Sequence, residues 1–474
     1  MERDTERDMA KDMEKDMEKD MELEKSSQDP FAGEEVGGVR YRTMKWCFAV
    51  SQCRKLINLV QELCNLYIYP NWTNQSWTTA NRPIVMIAQS VSLGVLSLPS
   101  SMAVLGLVPG CIIIVGIGAL TTYTGYVVGQ FKLRYPQVHN MADAAEILGG
   151  PWCREITNVA QVLCFIFLMG AHVLTFSIMM NTLTNHGTCT IVFSVVGDHP
   201  LLRPDPVKAP GGASLSIFTA VMITMIAIGI EMPDPRTYAI THPTLMNGFS
   251  ATLNIVLAYS GHMSFFSFQS ELADPRDYPK ALIAFQVTDT SLYLVTAIVI
   301  YRYAGPNVLS PALLSASELV SKIAFGISIG TIVIAGVVIC HVGAKCIYVR
   351  MFRGTHMMSE RSFRSYGSWV LITFIMWVIA WLIANAIPVF NDLLNMIAAA
   401  FCSWFSFGLE GLFWLKMNRG QYLSSKRKMA LTALNIFLVA LCCLICGMGL
   451  WATGTSIRIN AQNAHKPFSC ANNA

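Results

Sequence analysis

Two short runs hold the residue types that could do chemistry inside an otherwise apolar chain. In PIVMIAQSVSLGVLSLPSSMAVL, residues 83–105, a stretch of membrane-crossing length is interrupted by Gly94, Ser97 and Pro99. In AYSGHMSFFSFQSELADP, residues 258–275, Ser260-Gly261-His262 sits at the centre of a second apolar span. In hydrocarbon every backbone N–H and C=O must be bonded inside the protein, so a crossing helix that gives up its ladder midway has to face a cavity or a ligand. Its open N–H groups carry partial positive charge and its open carbonyls partial negative charge. Two such breaks in separated parts of a chain are the sequence sign of a pseudo-symmetric transporter with a site at the membrane midplane. On this reading the N–H groups of Gly94, Val95 and Ser97, with the hydroxyls of Ser92 and Ser97, hold a substrate carboxylate. Carbonyls from Tyr259 to Gly261, beside His262, take an ammonium. Phe265 and Phe266 either shape the side-chain pocket or serve as ordinary apolar packing.

Ionisable groups within spans form a second set, because each costs about 2.5–3.5 kcal/mol at the bilayer centre. His262 and Asp289 are the expected proton carriers, since a histidine titrates near physiological pH with little tuning. Glu271 joins them as a coupling candidate, its alternative being contact with water at the inner helix end. For His172 the alternative role is a bond across helices, and for Glu410 a pairing with a buried donor. A sodium ion is the competing driver. Ser328 and Thr331, with first-helix carbonyls, could supply some of the oxygens a hard cation needs. No cofactor and no resident metal is expected. The cargo should be neutral and zwitterionic, because few fixed charges sit in the spans to serve as counter-ions.

The elements that must position these groups are membrane helices. Just over half of the 474 residues are apolar (53%), only 14% are charged, and mean hydropathy is +0.45, against about a quarter charged in soluble domains. With about 20 apolar residues needed per crossing, ten spans stand out, near 83–105, 107–131, 156–183, 214–231, 249–269, 281–304, 319–341, 367–388, 392–415 and 429–452. An eleventh, at 188–197, is about half the required length and runs into the proline-rich DHPLLRPDPVKAPGGAS. Counting it as a crossing puts Lys132, Arg134, Arg154, Arg276, Lys280, Lys345, Arg350, Arg353, Arg361, Arg364, Lys416, Arg419 and Lys426–Lys428 on the side of the N-terminus. The opposite loops are then nearly free of Lys and Arg, as the positive-inside rule requires. Gly106 and Gly125 read as helix-packing positions. Cys189 and Cys470 both fall on the outer side and could form a disulfide.

Outside the spans, residues 1–45 form a charged low-complexity cytoplasmic tail with a KDME repeat, and no signal peptide precedes the first span. Residues 46–82 are an irregular insert with a surface helix near 50–66 as one reading. The sequons at Asn71 and Asn74 would stay unmodified on the cytoplasmic side. Residues 83–452 form the transporter domain, and 453–474 a short tail outside.

SVSLGVLSLPSSMAVLGLVPG resembles the first-helix signature of the amino acid/auxin permease (AAAP) family, and AYSGHMSFFSFQSELADPRDYPKAL its sixth-helix signature. VRYRTMKW, GAHVLTFSIMMNTLTNHGTCTIVF, TDTSLYLVTAIVIYRYAG and SWFSFGLEGLFWLKMN resemble fungal neutral amino-acid permeases of the methyltryptophan-resistance type. The resemblance implies an all-α polytopic membrane protein of about 11 helices, with an inverted-repeat, leucine-transporter-like architecture and interrupted helices 1 and 6. It also implies import of neutral aromatic and aliphatic amino acids with a proton or sodium ion. The chain departs from that pattern at residues 47–82, which intervene before the first helix, and at the truncated fourth helix. A non-transporting amino-acid sensor is the rival reading. An enzyme is not expected, for no zinc motif, nucleophile elbow or glycine-rich phosphate loop is present, and nucleic-acid binding has no support. The plasma membrane is the expected location, with the vacuolar membrane as alternative and the N-terminus in the cytoplasm. The expected partners are neutral L-amino acids and the lipid bilayer.

Overall fold

A computed structural model describes residues 93–198, 210–231, 236–272, 274–352, 355, 363–463 and 467–470. The tail, the insert with its sequons, the first half of the first span and Ser92 lie outside the described residues, as does most of the proline-rich run after the short fourth span.

The described residues are helical, with no strand among them. In chain order the helices are α1 (Gly94–Leu105), α2 (Leu107–Arg134), α3 (Met141–Gly149), α4 (Pro151–Thr184), α5 (Thr190–Asp198), α6 (Pro210–Glu231) and α7 (Leu245–Ala258). They continue as α8 (Phe265–Glu271), α9 (Tyr278–Ala304), α10 (Glu318–Phe352), α11 (Phe363–Ala386), α12 (Phe390–Ile397), α13 (Leu409–Met417) and α14 (Lys426–Asn463). Seven helical runs among the described residues are long and apolar enough to cross a membrane. They carry large apolar side chains on their outer faces as well as inside, including Ile112, Ile156, Leu319 and Phe374. A helix that is apolar all round is the form that suits lipid.

The short fourth span folds as α5, whose nine residues rise only about 13 Å against about 30 Å of hydrocarbon. It packs on α4 and α11. The second predicted break is present: α7 stops at Ala258, a 3₁₀ turn follows over Gly261–Ser264, and α8 resumes at Phe265. The tenth span, which reads in sequence as a plain helix, is instead α12 and α13 joined through two π-helical segments, Ala398–Cys402 and Trp404–Gly408. Helix α14 continues past residue 452 to Asn463.

Helix α1 lies along α7 and α9, α2 along α9 and α13, while α4 and α6 flank α10. Gly106 turns the chain between α1 and α2 with φ +90°, and a Cβ there would sit 2.8 Å from the Thr241 backbone nitrogen. It is therefore a tight turn rather than a packing position, whereas Gly125 does pack, against Leu282 and Phe265. At one end of the molecule Arg350 pairs with Glu155, Arg154 pairs with Glu146 at 3.0 Å, and Arg134 Nη1 donates to the Met417 carbonyl at 2.6 Å. At the other end Cys189 and Cys470 are disulfide-bonded, Phe468 N–H donates to the Asn385 carbonyl, and Ser317 bonds the Glu231 carboxylate. The two cysteines expected on one side are thus joined.

Candidate functional site

The site begins where two helix ends meet. Helix α1 runs from Gly94, with Leu93 before it and no side chain capping its start, and the Leu96 N–H donates to the Leu93 carbonyl at 3.2 Å. Helix α7 ends at Ala258, where the Val256 and Leu257 carbonyls leave the helical ladder and accept from the Tyr259 and Ser260 N–H groups of the turn. The contact between the two ends is so close that a Cβ on Gly94 would lie 2.7 Å from Ala258 Cα and 2.9 Å from Ala258 Cβ. The positive end of one helix dipole therefore abuts the negative end of another inside the protein. Pro99 keeps α1 locally open, since it has no N–H to offer the Val95 carbonyl. Val95 and Ser97 are fully buried in this first turn, and the Ser97 hydroxyl turns back to the Gly94 carbonyl at 3.0 Å.

At the α7 end, Tyr293 Oη of α9 donates to the Ala258 carbonyl at 2.9 Å, and Tyr259 Oη donates to Thr290 Oγ1 at 3.2 Å. Ser260 Oγ donates to the Leu257 carbonyl at 2.6 Å. Tyr293→Phe leaves a buried carbonyl without that partner. It should cost about 1–3 kcal/mol, read as a lower unfolding midpoint of the purified protein in detergent.

His262 leads from this break into a polar seam between α2 and α9. Its Nε2 lies 3.1 Å from the Thr121 carbonyl and 2.9 Å from Thr124 Oγ1. A carbonyl only accepts, so Nε2 carries the hydrogen and Nδ1 presents a lone pair. Nδ1 is buried and has no hydrogen-bond partner among the described residues. Gln286 Nε2 of α9 reaches the same α2 turn, donating to Thr121 Oγ1 at 2.7 Å and to the Gly118 carbonyl at 3.3 Å. Asp289, fully buried, lies three residues further along α9 and next to Thr290. Gly118 admits this crossing, for a Cβ there would sit 2.8 Å from Thr290 Oγ1 and 3.1 Å from Tyr259 Oη.

The structure thus brings together Gly94, Val95 and Ser97 with the α7 end, and Tyr259, Gly261 and His262 with the α9 face that carries Asp289. Phe265 stacks beside His262 with ring centroids 4.6 Å apart and meets Tyr278 and Phe285. Phe266 points instead into an aromatic cluster with Phe131 and Phe413, which is the packing role. Glu271 closes α8. Ser328 and Thr331 are buried on α10, and the Ser328 hydroxyl donates to the Phe325 carbonyl of its own helix at 3.1 Å. On α4, His172 donates from Nδ1 to the Leu168 carbonyl at 2.8 Å and stands where Gly336 of α10 comes closest.

Thr121, Thr124 and Gln286 are the seam residues that sequence reasoning did not single out. Their signal was available: Gln286 and Asp289 are three apart, so they share a helix face, as do Thr121 and Thr124.

The family model described as transmembrane amino acid transporter protein matches residues 73–455. The N amino acid transport system protein of Neurospora crassa is 37% identical over 413 residues, 82% of this chain and 87% of that protein. A transmembrane transporter of Gibberella moniliformis is 27% identical over 419 residues, 84% of this chain and 88% of that one. The crystal structure of MhsT in complex with L-phenylalanine aligns with a TM-score of 0.50 at 12% identity, over 82% of this chain and 100% of that one, a likeness of fold. A membrane-spanning helical chain with a broken helix at its centre, matched over most of its length, belongs to the transmembrane amino acid transporter family.

Proposed function

We propose that the protein imports neutral aromatic and aliphatic amino acids by proton symport with alternating access. The observation that carries this reading is the abutment of the α1 N-terminus on the α7 C-terminus beside a neutral imidazole whose Nδ1 is open. A zwitterion fits two helix ends of opposite polarity: its carboxylate lies at the Gly94–Ser97 turn and its ammonium at the carbonyls around Tyr259–Gly261. Ser92 would add a hydroxyl to the carboxylate side. Few fixed charges sit in the spans to serve as counter-ions for a net-charged cargo. Phe265 lines the side-chain end, which suits aromatic and aliphatic substrates. The L-phenylalanine held by the similarly folded MhsT supports the same substrate class.

In this mechanism an external proton binds His262 at Nδ1, where it adds a donor facing the site and a positive charge beside the Phe265 ring. Asp289 takes part as the second titrating group, with Glu271 further along. Loaded with substrate and proton, the carrier reorients and releases both. The working location is the plasma membrane, with the N-terminus and the basic end of the bundle in the cytoplasm.

Labelled phenylalanine or leucine uptake in cells lacking their own permeases tests the reading. Under an inward gradient of one pH unit, accumulation should reach up to about tenfold for one proton per substrate, since one unit is worth about 1.4 kcal/mol. It should persist when sodium is replaced. Accumulation that needs sodium would move the driver to Ser328 and Thr331, and saturable binding without flux would make the protein a sensor.

A further inference from the structure

We propose that Glu410 is a further proton carrier, which delivers to the cytoplasm the proton that enters with the substrate. The inference rests on the proton-symport reading above. Glu410 is the second residue of α13, directly after the π segment Trp404–Gly408. Such π-helical turns appear frequently at functional sites. The side chain is fully buried, and neither Oε1 nor Oε2 has a hydrogen-bond partner among the described residues. The buried donor that sequence reasoning allowed for this carboxyl is therefore not there.

The groups around it do not neutralise it. From α9 the hydroxyl of Tyr278 is spent on the Gly125 carbonyl, to which it donates at 3.3 Å. From α14 the thiol of Cys442 packs on the turn before Glu410, 2.8 Å from where a Cβ on Gly408 would stand. Asn435 of α14 passes beside Gly411 and gives its amide to Tyr123 Oη of α2 at 2.6 Å. Several charged groups of the packed elements are engaged elsewhere. Lys132 holds the Pro136 and Val138 carbonyls, Arg134 the Met417 carbonyl, and Lys428 the Asn418 amide oxygen. On α3, Glu146 pairs with Arg154, and Asp143 accepts from the His139 N–H.

An ionised carboxylate sealed from water with neither oxygen bonded is far costlier than the neutral acid. In this conformation Glu410 therefore carries its proton. It loses that proton only when the bundle rearranges and water reaches α13: the O–H bond breaks, its electron pair stays on the oxygen, and the proton passes to water. A protonation state tied to conformation is what a coupled carrier requires. The position fits the task, because α13 ends at Met417, where Arg134 marks the basic end of the molecule. Packing alone would be served better by an apolar side chain.

The test uses the full chain in proteoliposomes with two readouts, accumulation of labelled phenylalanine under an inward proton gradient and exchange of labelled for unlabelled phenylalanine at equal pH. Glu410→Gln should exchange at the wild-type level while its accumulation under a one-unit gradient falls about tenfold, the driving force of one proton. Wild-type accumulation that ignores the gradient would sink the proton reading itself. If the wild type responds and Glu410→Gln accumulates equally, or loses exchange as well while still folded, the role of Glu410 is overturned. The wild type also answers directly through dicyclohexylcarbodiimide, an apolar reagent for protonated buried carboxyls. The acid proton moves to a reagent nitrogen, a carboxyl oxygen bonds its central carbon, and rearrangement leaves a stable acylurea. Peptide mass spectrometry should find the adduct at Glu410, and its absence there would overturn the proposal.

Discussion

Gly94→Ala should reduce amino-acid uptake about a hundredfold while the protein still reaches the membrane. A Cβ at residue 94 would stand 2.7 Å from the Cα and 2.9 Å from the Cβ of Ala258, closer than real Cβ atoms come to any neighbour. The nearer of these atoms is backbone, so no rotamer change relieves the contact, and α1 or α7 must move. Interiors packed at crystal density pass such a shift on instead of absorbing it. Overpacking of this kind costs about 1–3 kcal/mol of stability. The larger loss is functional, because displacement of about 1 Å between groups that grip one substrate can cost about a hundredfold in rate. Ala258→Gly in the same chain removes the 2.9 Å contact but leaves the 2.7 Å one, so rescue should be partial. Gly326→Ala on α10 is the control, since nothing lies within 4 Å of a Cβ there. Labelled uptake normalised to surface protein decides the matter, and wild-type transport by Gly94→Ala would show that the two helix ends do not act together.

The interruption at Gly94 was legible because glycine, serine and proline in one turn contradict an apolar span, and hydrocarbon leaves a broken ladder few explanations. Ser260-Gly261-His262 was legible for the same reason, and α7, the 3₁₀ turn and α8 follow it closely. The shortness of α5 could be counted directly. The π segments of the tenth span could not, because a bulge is settled by what packs across it. Cys442 Sγ and Trp404 Cε3 both crowd the position a Cβ on Gly408 would take. Phe266 was ambiguous in principle, since an apolar residue reads alike whether it lines a pocket or fills an aromatic cluster with Phe131 and Phe413. The unbonded state of Glu410 was likewise invisible, because sequence gives a buried carboxyl but not its neighbours. Thr121 and Thr124 were overlooked for a different reason: small hydroxyls usually bond back to their own helix, as Thr121 also does to the Ile117 carbonyl at 2.9 Å.

His262→Gln should abolish the rise of uptake with external acidity while leaving substrate exchange intact. Glutamine keeps a carboxamide N–H for the Thr121 carbonyl, the bond that fixes the imidazole at 3.1 Å, but it takes up no proton. In the wild type the open acceptor is Nδ1, so lowering the external pH raises the fraction of carriers loaded there. Uptake should therefore climb as external pH falls. The sign follows from the protonated form being the transported one. In His262→Gln the curve should be flat, and accumulation under a one-unit gradient should fall about tenfold. His262→Ala is the poorer variant, because it also removes the donor and leaves a cavity between α2 and the break, mixing a folding defect with a coupling defect. A pH slope preserved in His262→Gln would transfer the proton to the other buried group on this seam, Asp289, which shares its α9 face with Gln286 and borders the Tyr259–Thr290 bond. Loss of exchange together with the slope would instead make His262 a support for the α7 end, held for its shape between Thr121 and Phe265.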